Sequence, residues 1–469
     1  MSIKYDYNAA LSDVVGNRHG VTLKSIQALQ KRADAIHEDL IEKRESKQLG
    51  FYDLPYDTDL ADQILDCAKK VKKYENFVVL GIGGSALGPI CVHSALAHNY
   101  HNLVDSKKRK GFPRLFVMDN SDPEILAKLL DVIDVKKTIF NVITKSGKTP
   151  ETMSQLMVIV ELIKRKAGAK ALPKQLIATT DTSKGLLRPY ADAQELEHTF
   201  IVPDNVGGRF SELTAVGLLP AAVEGVDIKG MMAGAREMDE RCKTSDLFKN
   251  PAYLNSAIHY LADTKKGKVI SVMMPYSNAL RDVADWYRQM WAESLGKAKD
   301  VSGAKVYAGQ TPVKALGATD QHSQVQLYVE GPNDKIFTLI QVEKFRAQCR
   351  IPKSFRAISE LDFLKGNDMG ELLNAELEAT EFALYKAKRP SVRLILDEIT
   401  PENVGGLLYM LEVQTAFSGG LYNINAFDQP GVEEGKKATA ALMGRGLPED
   451  KKKTEEIKKF QKKKTHKPV

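Results

Sequence analysis

Little in this chain of 469 residues suggests a cross-link, a metal site or a membrane. The four cysteines, Cys67, Cys91, Cys242 and Cys349, are widely scattered, with no CxxC and no Cys/His spacing. That pattern argues against a disulfide framework and against a zinc site, and no metal is expected. No apolar run approaches the roughly 18 to 20 residues of a membrane span. The first residues, "MSIKYDYNAALSDVV", lack the basic stretch and continuous apolar segment of a secretory leader. A reduced, cytoplasmic setting without a membrane partner is therefore the expectation.

An excess of one charge is also missing from the body. The net charge of +7 resides in residues 451–469, "KKKTEEIKKFQKKKTHKPV", which hold nine lysines and two glutamates. The remaining 450 residues carry 58 basic and 58 acidic side chains, so nothing there calls for nucleic acid. The lysine-rich end has few apolar residues and reads as a solvated, disordered tail.

What the chain does have is alternation. The runs "ENFVVLGIG", "RLFVMDN", "TIFNVITKSG", "QLIATTD" and "HTFIVPDN" read as strands, each followed by a helical stretch, and a second series opens with "KVISVMMPYS" and "KIFTLIQVE". This is the pattern of α/β domains with doubly wound parallel sheets. The expected organisation is a helical N-terminal extension over 1–60, a first α/β domain over 61–245 and a second over 246–400. Helices over 401–450 are expected to pack back on the body, ahead of the tail at 451–469.

The stretch "VVLGIGGSALGP" puts four glycines and Ser85 directly behind a buried strand. A strand, a glycine turn and a helix start present free amide N–H groups and the positive end of a helix dipole, which suit an anion. Three readings compete. Gly81, Gly83 and Ala86 meet the relaxed G-x-G-x-x-A dinucleotide pattern, but Asp119, the candidate ribose acid, lies farther along than usual. "SGKT" at 146–149 ends like a P-loop, yet Val142 stands where its first glycine is required. In the third, Ser85 and the hydroxyls of "TKSGKTPET" together hold one phosphate monoester, which fits a sugar phosphate better than a dinucleotide. Thr149 would also N-cap the next helix, with Pro150 at its first position.

Titratable groups follow. In "NALRDVADWYRQMWAESLGK", Leu280, Val283, Ala284, Tyr287, Met290 and Trp291 form the apolar stripe of a helix. Asp282, Trp286, Gln289 and Glu293 share a neighbouring face. Alone, Glu293 reads as a surface residue paired with Lys297 at i+4. His322 in "GATDQHSQ" reads as a solvent-facing residue of a turn, and Lys436, in the helix after Gln429 and Pro430, as an exposed lysine.

Six blocks in order change those readings: "GIGGSALGP", "TKSGKTPET", "GGRFSELTAVGLLP", "WYRQMWAESLGK", "GATDQHSQVQLYVEGP" and "INAFDQPGVEEGK". Through them the chain, up to about residue 443, resembles the glucose-6-phosphate isomerase family in its shorter bacterial form. The resemblance implies two sugar-isomerase domains, interconversion of glucose 6-phosphate and fructose 6-phosphate in glycolysis and gluconeogenesis, no cofactor, and a homodimer. It implies Glu293 as the proton-transfer base, Arg209 beside the reacting carbons, and His322 with Lys436 for ring opening. His322 would come from the neighbouring subunit, and Glu151 would orient it.

Gly84, Ser85, Gly208, Gln289 and Gln429 would contact substrate, while Thr144, Lys145 through its backbone, Ser146 and Thr149 would cradle the phosphate. Two departures stand out: Lys148, where phosphate loops of the family commonly read S-G-T-T, and Pro430, where many relatives have tryptophan. A sugar-phosphate-sensing regulator would share the fold but lack the acid/base residues, a nicotinamide-dependent dehydrogenase would need a cofactor, and mannose 6-phosphate is a further possible substrate.

Overall fold

The computed structural model describes residues 2–354 and 358–464. Its first sheet contains β2 (Asn76–Leu80), β3 (Arg114–Met118), β4 (Thr138–Ile143), β5 (Leu176–Thr180) and β6 (His198–Ile201), in the order β3-β2-β4-β5-β6. All its pairings are parallel. The second contains β1 (Ile3–Asp6), β7 (Ile270–Pro275), β10 (Thr311–Lys314), β11 (Lys335–Lys344) and β12 (Ser391–Glu398), in the order β1-β12-β11-β7-β10. Two short strands, β8 (Lys297–Lys299) and β9 (Lys305–Ala308), make a separate antiparallel pair.

The burial pattern explains why the central strands read as continuous apolar runs. In β2, Phe77 and Val79 enter one core while Val78 and Leu80 enter another. In β11, Ile336 and Ile340 face the same large core as Phe77, and Phe337 and Leu339 face a third. A strand covered on both faces needs apolar side chains at every position rather than at every second one. The large core is therefore shared by the inner faces of both sheets, and each outer face has a core of its own.

Three expectations are corrected. The N-terminus is not purely helical: Ile3–Asp6 runs antiparallel to β12 and forms an edge of the second sheet, so that sheet is mixed rather than parallel throughout. Four residues of strand leave too short a period to read from sequence, and pairing with the other end of the chain supplies the stability. Residues 401–422 do not merely pack back on the body. The helix Pro401–Tyr422 is buried around nearly its whole circumference, against the helices Ile228–Cys242 and Pro251–Lys266. Gly405 allows this approach, because a Cβ there would lie 2.0 Å from the carbonyl oxygen of Met231.

The lysine-rich end is helical over Pro448–Lys463. Pro448 occupies the first turn, Asp450 accepts from the Leu447 amide at 3.0 Å, and Arg445 bonds the same carboxylate. Lysine and glutamate are good helix formers, and the Lys453 ammonium bonds Glu434 at 2.6 Å on the neighbouring helix Glu433–Leu442. Charge and low hydropathy concealed this docking. Residues 465–469 of the expected tail lie outside the described residues.

Candidate functional site

The phosphate-suited loops lie at the carboxyl edge of the first sheet, the usual ligand edge of open α/β sheets. Gly81 follows β2, Thr144 follows β4, and Val202 through Arg209 follow β6. Close backbone contacts lock them together. A Cβ on Gly84 would stand 2.3 Å from the carbonyl oxygen of Gly208, so the first glycine loop lies directly on the "GGRF" turn. A Cβ on Gly83 would stand 3.0 Å from Nε2 of Gln289, which brings the helix Arg281–Leu295 against the same loop.

The "TKSGKT" turn is closed by its own hydroxyls. Gly147, at φ +61°, donates its amide to Thr144 Oγ1 at 3.2 Å, and Lys148 donates to Ser146 Oγ at 3.2 Å. Thr144 Oγ1 and Thr149 Oγ1 are 3.3 Å apart. Thr149 is the residue before the helix Pro150–Ala167, but its side chain bonds Thr144 rather than the helix amides, which corrects the expected cap. Lys145 points away from the turn and donates to the carbonyls of Asp204 at 2.8 Å and Val206 at 2.9 Å. Burial pulls its pKa below the ordinary value. Its amine ties the turn to the segment that leads into "GGRF".

Arg209 is the centre of the arrangement and is 5% exposed. Its Nε donates to Ser294 Oγ at 2.7 Å. Nη1 donates to Gln429 Oε1 at 2.9 Å and to Glu293 Oε2 at 3.3 Å, and Nη2 donates to the carbonyls of Ala426 at 2.6 Å and Asp428 at 3.0 Å. A planar guanidinium with five fixed donors can bind two chain segments at once, here the end of the Glu293 helix and residues 426–429. Burial lowers its pKa, opposed by the negative charges of Glu293 and Asp428.

Glu293 is not paired with Lys297. Its carboxylate turns to Arg209 and remains about one-third exposed, open to a ligand. The i+4 reading failed because Lys297 is buried and folds back onto main-chain carbonyls.

His322, Lys436 and Glu151 are not brought to this cluster by bonds within the chain. His322 is exposed in the turn Thr319–His322 and has no side-chain hydrogen bond among the described residues. Lys436 is more than half exposed and is held by Glu433 at 2.7 Å on its own helix. Glu151 lies in the first turn of the helix Pro150–Ala167, without a carboxylate bond to His322. Ser85 is half-buried and Gly208 is exposed, its carbonyl accepting from Ser211 Oγ at 2.7 Å.

Sequence reading missed three supports: Ser294, Lys297 and Glu212. Glu212 is buried so tightly that a Cβ on Gly88 would come 1.5 Å from one of its oxygens, which accounts for that glycine. Burial raises the pKa values of Glu212 and of Glu412 well above the carboxylate range. No local pattern distinguishes such a carboxyl from a surface one.

Chemically, the cluster offers a carboxylate beside a buried, permanently positive group, next to loops rich in amides and hydroxyls. No group of three or more His, Cys, Asp or Glu side chains among the described residues is arranged to hold a metal ion.

Comparison with known proteins places these features. The family profile described as phosphoglucose isomerase matches residues 66–461. The chain is 50% identical over 464 residues to the glucose-6-phosphate isomerase of Carboxydothermus hydrogenoformans, covering 98% of each chain. A protein from Thermus thermophilus described as hypothetical has a crystal structure similar at a TM-score of 0.84, with 34% identity over 94% of this chain and all of that one. The crystal structure of a glucose-6-phosphate isomerase from Chlamydia trachomatis shares the fold at a TM-score of 0.81 and 21% identity, covering 98% and 92% of the two chains.

Proposed function

The chain belongs to the phosphoglucose isomerase family, and from that premise we propose how its residues interconvert D-glucose 6-phosphate and D-fructose 6-phosphate. It is an intramolecular aldose–ketose isomerase, and the observation that carries the assignment of roles is the Glu293 carboxylate 3.3 Å from the buried Arg209 guanidinium. Moving a proton from C2 to C1 needs one base that removes it and returns it. Glu293 does both. As the proton leaves C2, negative charge develops on O1 and O2 of the enediolate, and Arg209 stabilises it from a site shielded from water. Five hydrogen bonds hold the guanidinium in place, so its positive charge is already fixed beside the site when the negative charge appears.

The phosphate does not react. Thr144, Ser146, Thr149 and the main chain of Lys145 hold it, and its binding energy keeps the sugar in register with Gly84, Ser85, Gly208, Gln289 and Gln429. Lys148 adds a positive charge at the rim of that cradle.

Ring opening requires a donor to the ring oxygen and an acceptor for the C1 hydroxyl proton. His322 and Lys436 have the chemistry for this pair. The exposed His322 of a second copy completes each site in a homodimer, with Glu151 orienting it, and Lys436 turns inward from Glu433 when substrate binds. The enzyme acts in the cytoplasm, and the sugar chemistry itself uses no cofactor.

The test is a coupled assay of the purified protein with fructose 6-phosphate, in EDTA and without nucleotide, reading glucose 6-phosphate. Absence of product would refute the reading. For the shared site, Glu293→Gln and His322→Ala proteins are mixed under conditions that exchange subunits. Half the dimers are then hybrids with one intact site, so about a quarter of wild-type activity returns from two nearly dead parents. A mixture that stays inactive after proven exchange would place His322 in its own chain's site.

A further inference from the structure

Lys297 stands one turn beyond Glu293 and is 6% exposed. Gly296 ends the helix Arg281–Leu295, and the chain turns into β8, whose first residue is Lys297. From there the side chain folds back under the helix end. Its Nζ donates to the main-chain carbonyl of Glu293 at 2.6 Å and of Ser294 at 2.8 Å, and lies 3.7 Å from Oδ1 of Asp428. The last carbonyls of a helix have no partner within it, and a cation is favoured at that negative end.

Arg209 approaches the same two segments from the other side. It takes the carboxylate of Glu293 and the carbonyl of Asp428, where Lys297 takes the carbonyl of Glu293 and the carboxylate of Asp428. The end of the Glu293 helix and the 426–429 loop are thus held twice, by two cations in complementary fashion.

We propose that Lys297 is a positioning residue for the isomerisation, whose ammonium ties the backbone of Glu293 to Asp428 and so holds the Glu293 carboxylate against Arg209. This rests on Glu293 being the base. Lys297 contacts no substrate itself; it acts through the helix end. The charged groups facing the amine are Arg209 from the "GGRF" turn, Asp428 from the 426–429 loop and Glu293 from its own helix. Burial, and then Arg209, lower the amine's pKa to about 8, with Asp428 and Glu293 opposing. The clamp is therefore charged at neutral pH, half charged near pH 8, and loses its charge as pH rises further. Turnover should fall on that alkaline side through misplacement of Glu293.

The experiment measures kcat and KM across neutral to alkaline pH on full-length wild type, Lys297→Met, Lys297→Arg and Asp428→Asn, each normalised to folded protein by circular dichroism. Lys297→Met should lower kcat about 10- to 100-fold with KM nearly unchanged, the size expected of a misplacement near 1 Å, and should abolish the alkaline fall. Lys297→Arg, which keeps its charge, should recover part of kcat and also lack that fall. Asp428→Asn removes a group that holds the proton on the amine, so the fall should move to lower pH. Asp428 is half exposed, so this variant tests the proposal even if Lys297→Met does not fold. A Lys297→Met enzyme with wild-type kcat per folded molecule, a rise in KM alone, or an alkaline limb unmoved in the Asp428→Asn protein would overturn the proposal. Wild type that does not isomerise would instead remove the premise, and is seen before any variant is made.

Discussion

Around Arg209 all three guanidinium nitrogens are engaged and the surrounding loops touch backbone to backbone. Around His322 and Lys436 the same chain has built almost nothing: one side chain is free of hydrogen bonds among the described residues, and the other is held only by a glutamate one turn away. On the roles proposed above, the two regions serve two kinds of chemistry. Charge that develops during proton transfer is best met by groups that are already fixed, because any reorganisation adds to the barrier. Ring opening needs access for a bulky cyclic substrate, and groups that arrive after binding, from a mobile side chain or a second subunit, leave the entrance clear. In this chain the side chains of the buried region are already fixed by hydrogen bonds, and those of the exposed region are not.

The largest effect should come from the fixed region. Glu293→Gln keeps the shape and the Arg209 contact but removes the basicity, so kcat should drop by about 10² to 10⁴ with substrate still bound. Solvent exchange of the C2 proton, followed by NMR, should vanish with it. Retained exchange would move the base to another residue and dissolve the contrast.

Next come two glycines, one from each region. Gly84→Ala puts a Cβ 2.3 Å from the Gly208 carbonyl, a backbone atom that cannot swing aside, and should lower kcat/KM about 10- to 100-fold by parting the loops. Gly435→Ala, beside Lys436, meets nothing within 4 Å and lies inside a helix, so it should leave kcat/KM within about twofold while raising stability by up to about 1 kcal/mol. Equal losses from both would show that the exposed helix is as tightly fitted as the loops.

A smaller effect is expected from the C-terminal helix. Deleting residues 448–469 removes the Lys453 contact to Glu434 on the helix that carries Lys436. Turnover should fall by no more than about threefold, since a surface pair contributes under about 1 kcal/mol. The loss should appear in the ring-opening step, which is read by comparing cyclic and pre-opened substrate in stopped flow. A truncated enzyme as impaired as Glu293→Gln would make that helix part of the fixed region.

The smallest effect concerns His93, on the helix that follows the first glycine loop. Burial opposes its charge, but the Glu224 carboxylate, 2.6 Å from Nδ1, outweighs burial and raises the pKa above 6.5. The stabilisation from this pair is therefore fully present below pH 6.5 and is lost as pH rises through the raised native value. Thermal denaturation of wild type and His93→Gln should show a gap that narrows across that window, with kcat unaffected. A gap independent of pH would assign His93 a packing role only.

The sequence by itself determined the buried parallel strands, the glycine and hydroxyl loops behind them, and the family to which the chain belongs. These rest on short-range physics: period-two burial on both faces of a strand, and turns that only glycine and small polar residues permit. It also placed Glu293 and Gln289 on one helix face. Tertiary structure alone decided what each side chain meets. Lys297 sits four residues from Glu293 in a helical register that predicts a surface ion pair, yet burial turned it to the helix-end carbonyls and released the carboxylate to Arg209, 84 residues away in sequence. Ile3–Asp6 became a strand only because β12 offered it an edge. The lysine-rich end became a docked helix because Arg445 holds Asp450 in its first turn and Glu434 of the neighbouring helix takes Lys453. In each case the deciding energy lies in desolvation and in contacts between distant segments, and those quantities exist only once the chain has folded.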